Sequence, residues 1–190
     1  LGLEVIPERI EAYDISNLGS EHITAGMIVC ENGKFIKKDY RTFTIRDTAG
    51  APDDYASMKE VVRRRYRRAI EEQTPLPQLI IADGGKGQME VIREVVEEEL
   101  NLDIAIAGLV KDGRHRTSEL IVGHCGESIG LKQNSALFRL MTQIQDEVHR
   151  FAITFHRDKR SKRQTASELD TIKGIGEKSK QTLLAHFKSV

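Results

Sequence analysis

Apolar residues follow two rhythms along the chain, and the changes of rhythm mark its elements. Residues 9–14 (RIEAYD) read as a strand that gives way to small and polar residues. Residues 23–30 and 34–45 flank Glu31-Asn32-Gly33-Lys34, and Asn-Gly between two strand-like runs is the strongest short hairpin signal. Three antiparallel strands are therefore expected to open the chain. The rhythm then turns helical. Tyr55, Met58, Val62, Tyr66 and Ala69 recur at helix spacing, Asp53 and Asp54 fall in the first turn where carboxylates suit the helix dipole, and Pro75 and Pro77 close the element. QLIIAD (78–83) is a continuous apolar run suited to the middle of a sheet. GGKGQ turns the chain into a helix marked by Met89, Ile92 and Val96. DIAIAGLV (103–110) is another buried strand, and SELIVG (118–123) a shorter one. From Ser135 to about Phe155 an amphipathic helix carries Ile144, Val148, Phe151 and Phe155 on one stripe. The order predicts an α/β fold, a mixed β-sheet with helices on its faces, and there are no internal repeats.

After Phe155 the character changes. Residues 157–166 are polar and basic, and read as a linker or the frayed end of the long helix. Residues 167–190 read as a short helix, a tight glycine turn and a second helix, a small appendage to a main domain over 1–156. With 190 residues the chain is long enough for one full core plus that appendage. The chain opens LGLEVIPERI without methionine, as a domain cut from a longer protein does.

Composition excludes more than it assigns. The 29 basic and 29 acidic side chains cancel, so net charge names no partner. Their distribution does more, because RRRYRR (63–68) and HRDKRSKR (156–163) concentrate positive charge that can form a local nucleic-acid patch. Cys30 and Cys125 belong to no CxxC pair, which argues against zinc and fits two reduced thiols in the cytoplasm. No apolar run approaches a membrane span and no signal peptide is visible.

Three places could carry chemistry. In the appendage, Ile172-Lys173-Gly174-Ile175-Gly176 leaves backbone N–H groups uncovered before a helix, with Lys178 and Lys180 adding charge, a geometry suited to phosphate. DGGKGQ (83–88) is neither a Walker A loop nor a G-x-G-x-x-G turn. Its notable residue is Asp83, at the C-terminal end of a central strand, where open sheets bind ligands, while Lys86 suits a phosphate or bulk water. Asp14 has the same placement on the first strand. Two carboxylates at neighbouring strand ends repel unless a cation lies between them, and a hard divalent ion resolves the conflict. His149 flanks the buried stripe of the long helix and is a third ligand candidate, with Asp146 placed to orient it, Glu147 turned away, and His156 a weaker alternative.

Together, YDISN, YRTFTI, DDYASMKEVVRRRY, LIIADGGKGQ, EVHRFAITFHRDKR and LDTIKGIGEKSKQTLL resemble the C-terminal half of the UvrC family, the incision subunit of bacterial nucleotide excision repair. The resemblance runs from about Arg9 to the end. It implies a ribonuclease-H-like endonuclease domain followed by a helix-hairpin-helix DNA-binding element. It also implies a catalytic and metal-binding triad at Asp14, Asp83 and His149, with a further acid at Asp53 or Asp54, where helix capping is an equal explanation. On this reading the domain uses Mg²⁺ or Mn²⁺ to hydrolyse a phosphodiester on the 5′ side of a lesion in damaged duplex DNA, as part of the UvrABC excision nuclease. An imidazole ligand favours Mn²⁺. Lys86, Arg150, Arg157, Lys159, Gly174, Gly176 and Lys178 would contact DNA. The family's GIY-YIG domain and UvrB-binding segment lie upstream and are not among these residues, and one hairpin stands where a pair is usual. The rival reading is a non-catalytic DNA-binding scaffold, and a nucleotide-binding enzyme built on GGKGQ is a third.

Overall fold

The computed structural model describes residues 6–16, 23–45, 53–111, 117–123 and 125–170, with side chains as far as Phe155, together with Gly176, Lys178, Ser179, Thr182, Leu183 and His186. The chain divides into two compact units, Leu1–Ala152 and Ile153–Val190, each described by itself.

The first unit is built on one mixed sheet. Strands β1 (Arg9–Ser16), β2 (Thr24–Glu31), β3 (Lys34–Phe35) and β4 (Arg41–Thr44) come first, then helix α1 (Asp54–Glu71), β5 (Leu79–Ala82) and α2 (Lys86–Arg93). Strands β6 (Ala105–Lys111), β7 (Thr117–Val122) and β8 (Glu127–Gly130) and helix α3 (Ala136–Asp170) follow. The sheet order is β3-β2-β1-β5-β6-β7-β8, with β4 also paired to β2. Among the described residues only β1–β5 and β5–β6 are parallel. The expected hairpin is present. Asn32 and Gly33 take φ of 49° and 74°, the left-handed pair that a tight two-residue turn demands.

Successive side chains on a strand face opposite ways, so the sheet builds two cores. On one face Tyr13, Met27, Val29 and Ile80 pack with Met58, Val62 and Tyr66 of α1 and with Met89 and Ile92 of α2. On the other, Ile10, Ala12, Ile28, Ile81 and Leu109 pack with Met141, Ile144 and Val148 of α3. At the start of α3 the Ser135 hydroxyl accepts from the Phe138 N–H at 3.0 Å, a side-chain cap.

Three expectations need amending, and one strand, β8, was not foreseen. The third strand is not continuous over 34–45. It breaks at a 3₁₀ turn, Lys37–Asp39, because that Lys-Lys-Asp run offers no alternating apolar face and Arg9 draws Asp39 in at 3.0 Å. Helix α2 passes into a π-helical segment, Glu94–Glu99. Strand β8 has no apolar alternation and is exposed along its length, so only its pairing with β7 defines it. Helix α3 runs on to Asp170, through the basic stretch 157–166, because no glycine or proline interrupts it before Lys173.

One close approach sets the position of α3. A Cβ on Gly26 would lie 3.1 Å from the Cα and Cβ of Ala152, so helix and sheet meet through two of the smallest residues. Gly26 pairs across the ladder with Asp14, and Ala152 lies three residues beyond His149. The same contact therefore holds His149 over Asp14. Gly26→Val is expected to destabilise the domain by about 1–3 kcal/mol through overpacking. Thermal denaturation checks it, and an unchanged Tm contradicts the packing account.

Candidate metal centre

Asp14 and Asp83 occupy corresponding places on adjacent parallel strands. Tyr13 pairs with Ala82 in the ladder, and the Asp83 N–H donates to the Tyr13 carbonyl at 2.9 Å, tying the two chain ends side by side. Asp14 belongs to the α3 face and is 7% exposed. His149, on α3, places Nδ1 3.0 Å from Asp14 Oδ2 and 3.9 Å from Asp83 Oδ2. One ligand atom from each residue lies within 4.8 Å of the others. The carboxylates are sunk in the protein while half of the imidazole faces solvent, so the centre opens on the His149 side.

Two further side chains complete it, and neither was singled out in the sequence. Lys111 Nζ lies 3.0 Å from Asp83 Oδ2, and Gln145 Nε2 donates to Asp83 Oδ1 at 2.6 Å. Lys111 ends β6 as Asp83 follows β5, so the strand-end reasoning that found the aspartates also points to it. Its direction has another source, a β-bulge at Val110/Lys111 that re-aims the side chain. Gln145 is buried one turn before His149, its Oε1 hydrogen-bonded to the Thr117 hydroxyl. A glutamine beside the apolar Ile144 was the available signal.

The electrostatics describe a site in need of positive charge. Burial pushes the Asp14 carboxyl up to about 6, and the charge of Asp83 adds to the rise; the His149 hydrogen bond and the charges of His149 and Lys111 oppose it. Two oxygen donors and one imidazole nitrogen, crowded against one another's charge, fit a divalent cation. Asp14, Asp83 and His149 would hold it. Binding there competes with the proton on Asp14 and with the Nδ1–Asp14 hydrogen bond, so it releases protons.

The remaining candidates are distributed as follows. Asp53 is the N-cap of α1, accepting from the Tyr55 and Ala56 N–H groups at 2.9 and 3.1 Å, and Asp54 is exposed in the first turn. Asp146 is exposed and makes no hydrogen bond to His149 among the described residues, because Asp14 holds Nδ1 itself. Glu147 accepts from Tyr40 and holds Arg150 by two bonds of 2.8 Å. Lys86 is exposed and donates to the Cys125 carbonyl at 3.3 Å. In the DGGKG turn Gly87 serves close packing, since a Cβ there would meet Tyr55 Oη at 2.6 Å, whereas Gly85 has open space beside it. His156, Arg157 and Lys159 lie on the α3 backbone, with side chains outside those described. In the second unit Gly176 is exposed, Lys178 is helical and accepts through its carbonyl from the Thr182 hydroxyl at 2.9 Å, and Gly174 and Lys180 lie outside the described residues. Among the described residues no helix is long and apolar enough to cross a membrane.

Fold and site together define a ribonuclease-H-like α/β domain with a candidate metal centre of two carboxylates and an imidazole. The chain belongs to the UvrC RNase H endonuclease domain family, which it matches over residues 1–153. It is 65% identical over 190 residues to UvrABC system protein C of Bacteroides thetaiotaomicron, covering all of this chain and 31% of that protein. The same protein of Streptococcus uberis is 53% identical over 184 residues, 97% of this chain and 31% of that one. The chain thus spans about a third of the length of these curated relatives. The solved structure of human ENDOV gives a TM-score of 0.41 at 10% identity, over 73% of this chain and 76% of that one, too slight a likeness to carry function.

Folding raises the Asp14 pKa, so without divalent ions the protonated carboxyl contributes fully below about pH 4. That contribution is lost as pH climbs through about 6, amounting to up to about 3 kcal/mol. Asp14→Asn cannot ionise. Its stability relative to the unsubstituted protein is expected to rise by about 2 kcal/mol between pH 4.5 and 8 in chelator, measured by urea denaturation. A difference independent of pH contradicts the assignment.

Proposed function

We propose that this domain is the divalent-metal-dependent endonuclease that cuts damaged DNA on the 5′ side of a lesion within the UvrABC system, acting in the cytoplasm on duplex DNA handed over by the UvrB–DNA complex. The observation that carries the reading is the convergence of Asp14, Asp83 and His149 from three separate elements, with ligand atoms within 4.8 Å. Burying two carboxylates at this separation opposes folding, and Lys111 pairs with only one of them, Asp83.

Each residue has a part in the chemistry. Asp14 and Asp83, with His149, would hold Mg²⁺ or Mn²⁺, which supplies Lewis-acid polarisation of the scissile phosphate and a nucleophile from water at neutral pH. Gln145 holds one oxygen of Asp83 and orients that carboxylate, while Lys111 neutralises the other oxygen, which the cation would take over from it. The half-exposed imidazole leaves an open side through which a phosphodiester approaches. The basic positions of the second unit, with Arg157, Lys159 and Lys178, supply backbone attraction rather than sequence readout, and a helix-hairpin-helix over 167–190 is the element proposed to grip phosphates.

In the complete incision complex acting on a lesion duplex, Asp14→Ala and Asp83→Ala are each expected to lower 5′ incision by at least about 100-fold in Mg²⁺ or Mn²⁺. Either variant cutting normally sinks the assignment and favours a DNA-binding scaffold. Replacing Gly174 and Gly176 by valine is expected to weaken DNA binding by about three- to tenfold in a filter or anisotropy titration. Unchanged binding removes the hairpin from the account.

A further inference from the structure

The arginine run 63–68 forms much of one wall of a cavity of about 640 Å³ on the α1 face of the sheet, the face opposite Asp14. Strand β1 contributes Arg9 and β4 contributes Arg41; α1 contributes Arg64, Arg65, Arg67 and Arg68. Against these six guanidinium groups the lining holds three carboxylates, Asp39, Glu71 and Glu72, and no lysine. The cavity shares no residue with the Asp14–Asp83–His149 centre, so the inference stands or falls apart from the nuclease reading.

The internal pairing leaves this charge incompletely used. Arg9 reaches Asp39 at 3.0 Å, Glu11 at 3.7 Å and Glu31 at 3.9 Å, Arg68 reaches Glu72 at 2.8 Å, and Arg65 reaches the fully buried Glu11 at 2.7 Å. Arg64 pairs with Glu60 at 2.9 Å. Arg41, by contrast, gives its Nη1 only to the carbonyls of Lys38 and Tyr40, and Arg67 has no ion pair among the described residues. Arg41 and Arg67 are both exposed, so their guanidinium groups are the charge this wall leaves for a ligand to meet.

The lining also limits what that acceptor is. Guanidinium forks on different elements suit an oxyanion that offers several oxygens in several directions, which a phosphate does better than a single carboxylate. Met27, Phe43 and Pro75 add an apolar side, and the Arg64 guanidinium stands 5.8 Å from the centre of the Phe43 ring. An aromatic ring and a guanidinium plane are the surfaces on which nucleobases stack. A volume of about 640 Å³ lies within the range of small-ligand sites. We infer that this cavity binds a nucleotide unit, its phosphate held by the arginines and its base set against Phe43 and Arg64. The unit comes either from a DNA strand or from a free nucleotide.

The test uses the whole chain and follows the arginine Nε–H signals and the Phe43 ring signals by NMR. The probes are dAMP, inorganic phosphate, a single-stranded deoxyhexanucleotide and polyglutamate. Nucleotide binding is expected to shift Arg41, Arg67 and Phe43 together. Arg41→Ala/Arg67→Ala, which removes the two arginines without carboxylate partners, is expected to weaken that binding about tenfold and reduce its salt slope by about 2. Phe43→Leu is expected to weaken nucleotides about threefold while leaving inorganic phosphate unaffected. A response to the hexanucleotide alone assigns the site to a DNA strand, and a response to dAMP assigns it to free nucleotide; both support the inference. Signals that move only with polyglutamate, signals that no nucleotide moves, or unaltered nucleotide affinity in the double arginine variant overturn it.

Discussion

Two carboxylates held side by side on adjacent parallel strands are the constraint that orders this domain. The β1–β5 ladder leaves Asp14 and Asp83 no freedom to separate, because a backbone hydrogen bond from Asp83 to Tyr13 continues the pairing to the point where they emerge. Burial and mutual repulsion make the pair costly, and burial is the larger cause of the raised Asp14 pKa. The surrounding elements answer that cost. A bulge at the end of β6 turns Lys111 toward Asp83, and α3 lowers Gln145 and His149 onto the two carboxylates. The Gly26–Ala152 contact lets the helix come close enough to do so.

The sheet separates two kinds of polar chemistry by strand alternation alone. Asp14 faces α3, whereas Glu11 and Tyr13 face α1. There the hydroxyls of Tyr13 and Tyr66 each lie 3.0 Å from Glu11 Oε2, and Arg65 pairs with Glu11 Oε1. Burial, together with the Glu11 charge, holds both phenols protonated well above their ordinary range. This network is closed and fully buried at Glu11. It fixes α1 to β1, and so fixes the arginines that α1 presents toward the β4 edge. The metal centre and the arginine cavity therefore share a scaffold and no side chain.

Much of this was legible from residue order. The hairpin at Asn32-Gly33, the buried run of β5 and the stripe Ile144–Val148 follow from backbone preference and periodicity, and the aspartates follow from their position at strand ends. Asp14, Asp83 and His149 could be grouped because like charges at neighbouring strand ends require a cation. What stayed hidden depended on tertiary detail. The Lys111 side chain is aimed by a bulge, β8 exists only through its partner strand, and the third strand breaks because Arg9, distant in sequence, captures Asp39. Asp146 matched the spacing of an orienting residue for His149, yet the ring turns instead to Asp14. The DGGKG turn suggested a phosphate cradle, while its Gly87 lets Tyr55 approach and Gly108 of β6 lets that strand pass close to the Gly84 carbonyl.

The central claim is that one divalent cation unites the three side chains. A crystal of this chain soaked in Mn²⁺ and recorded at the manganese absorption edge tests it most directly. The account predicts a single strong anomalous peak within bonding distance of Asp14, Asp83 and His149, with the Lys111 ammonium displaced from Asp83. Intact residues with no peak between them at saturating Mn²⁺, and Lys111 still bound to Asp83, would contradict it.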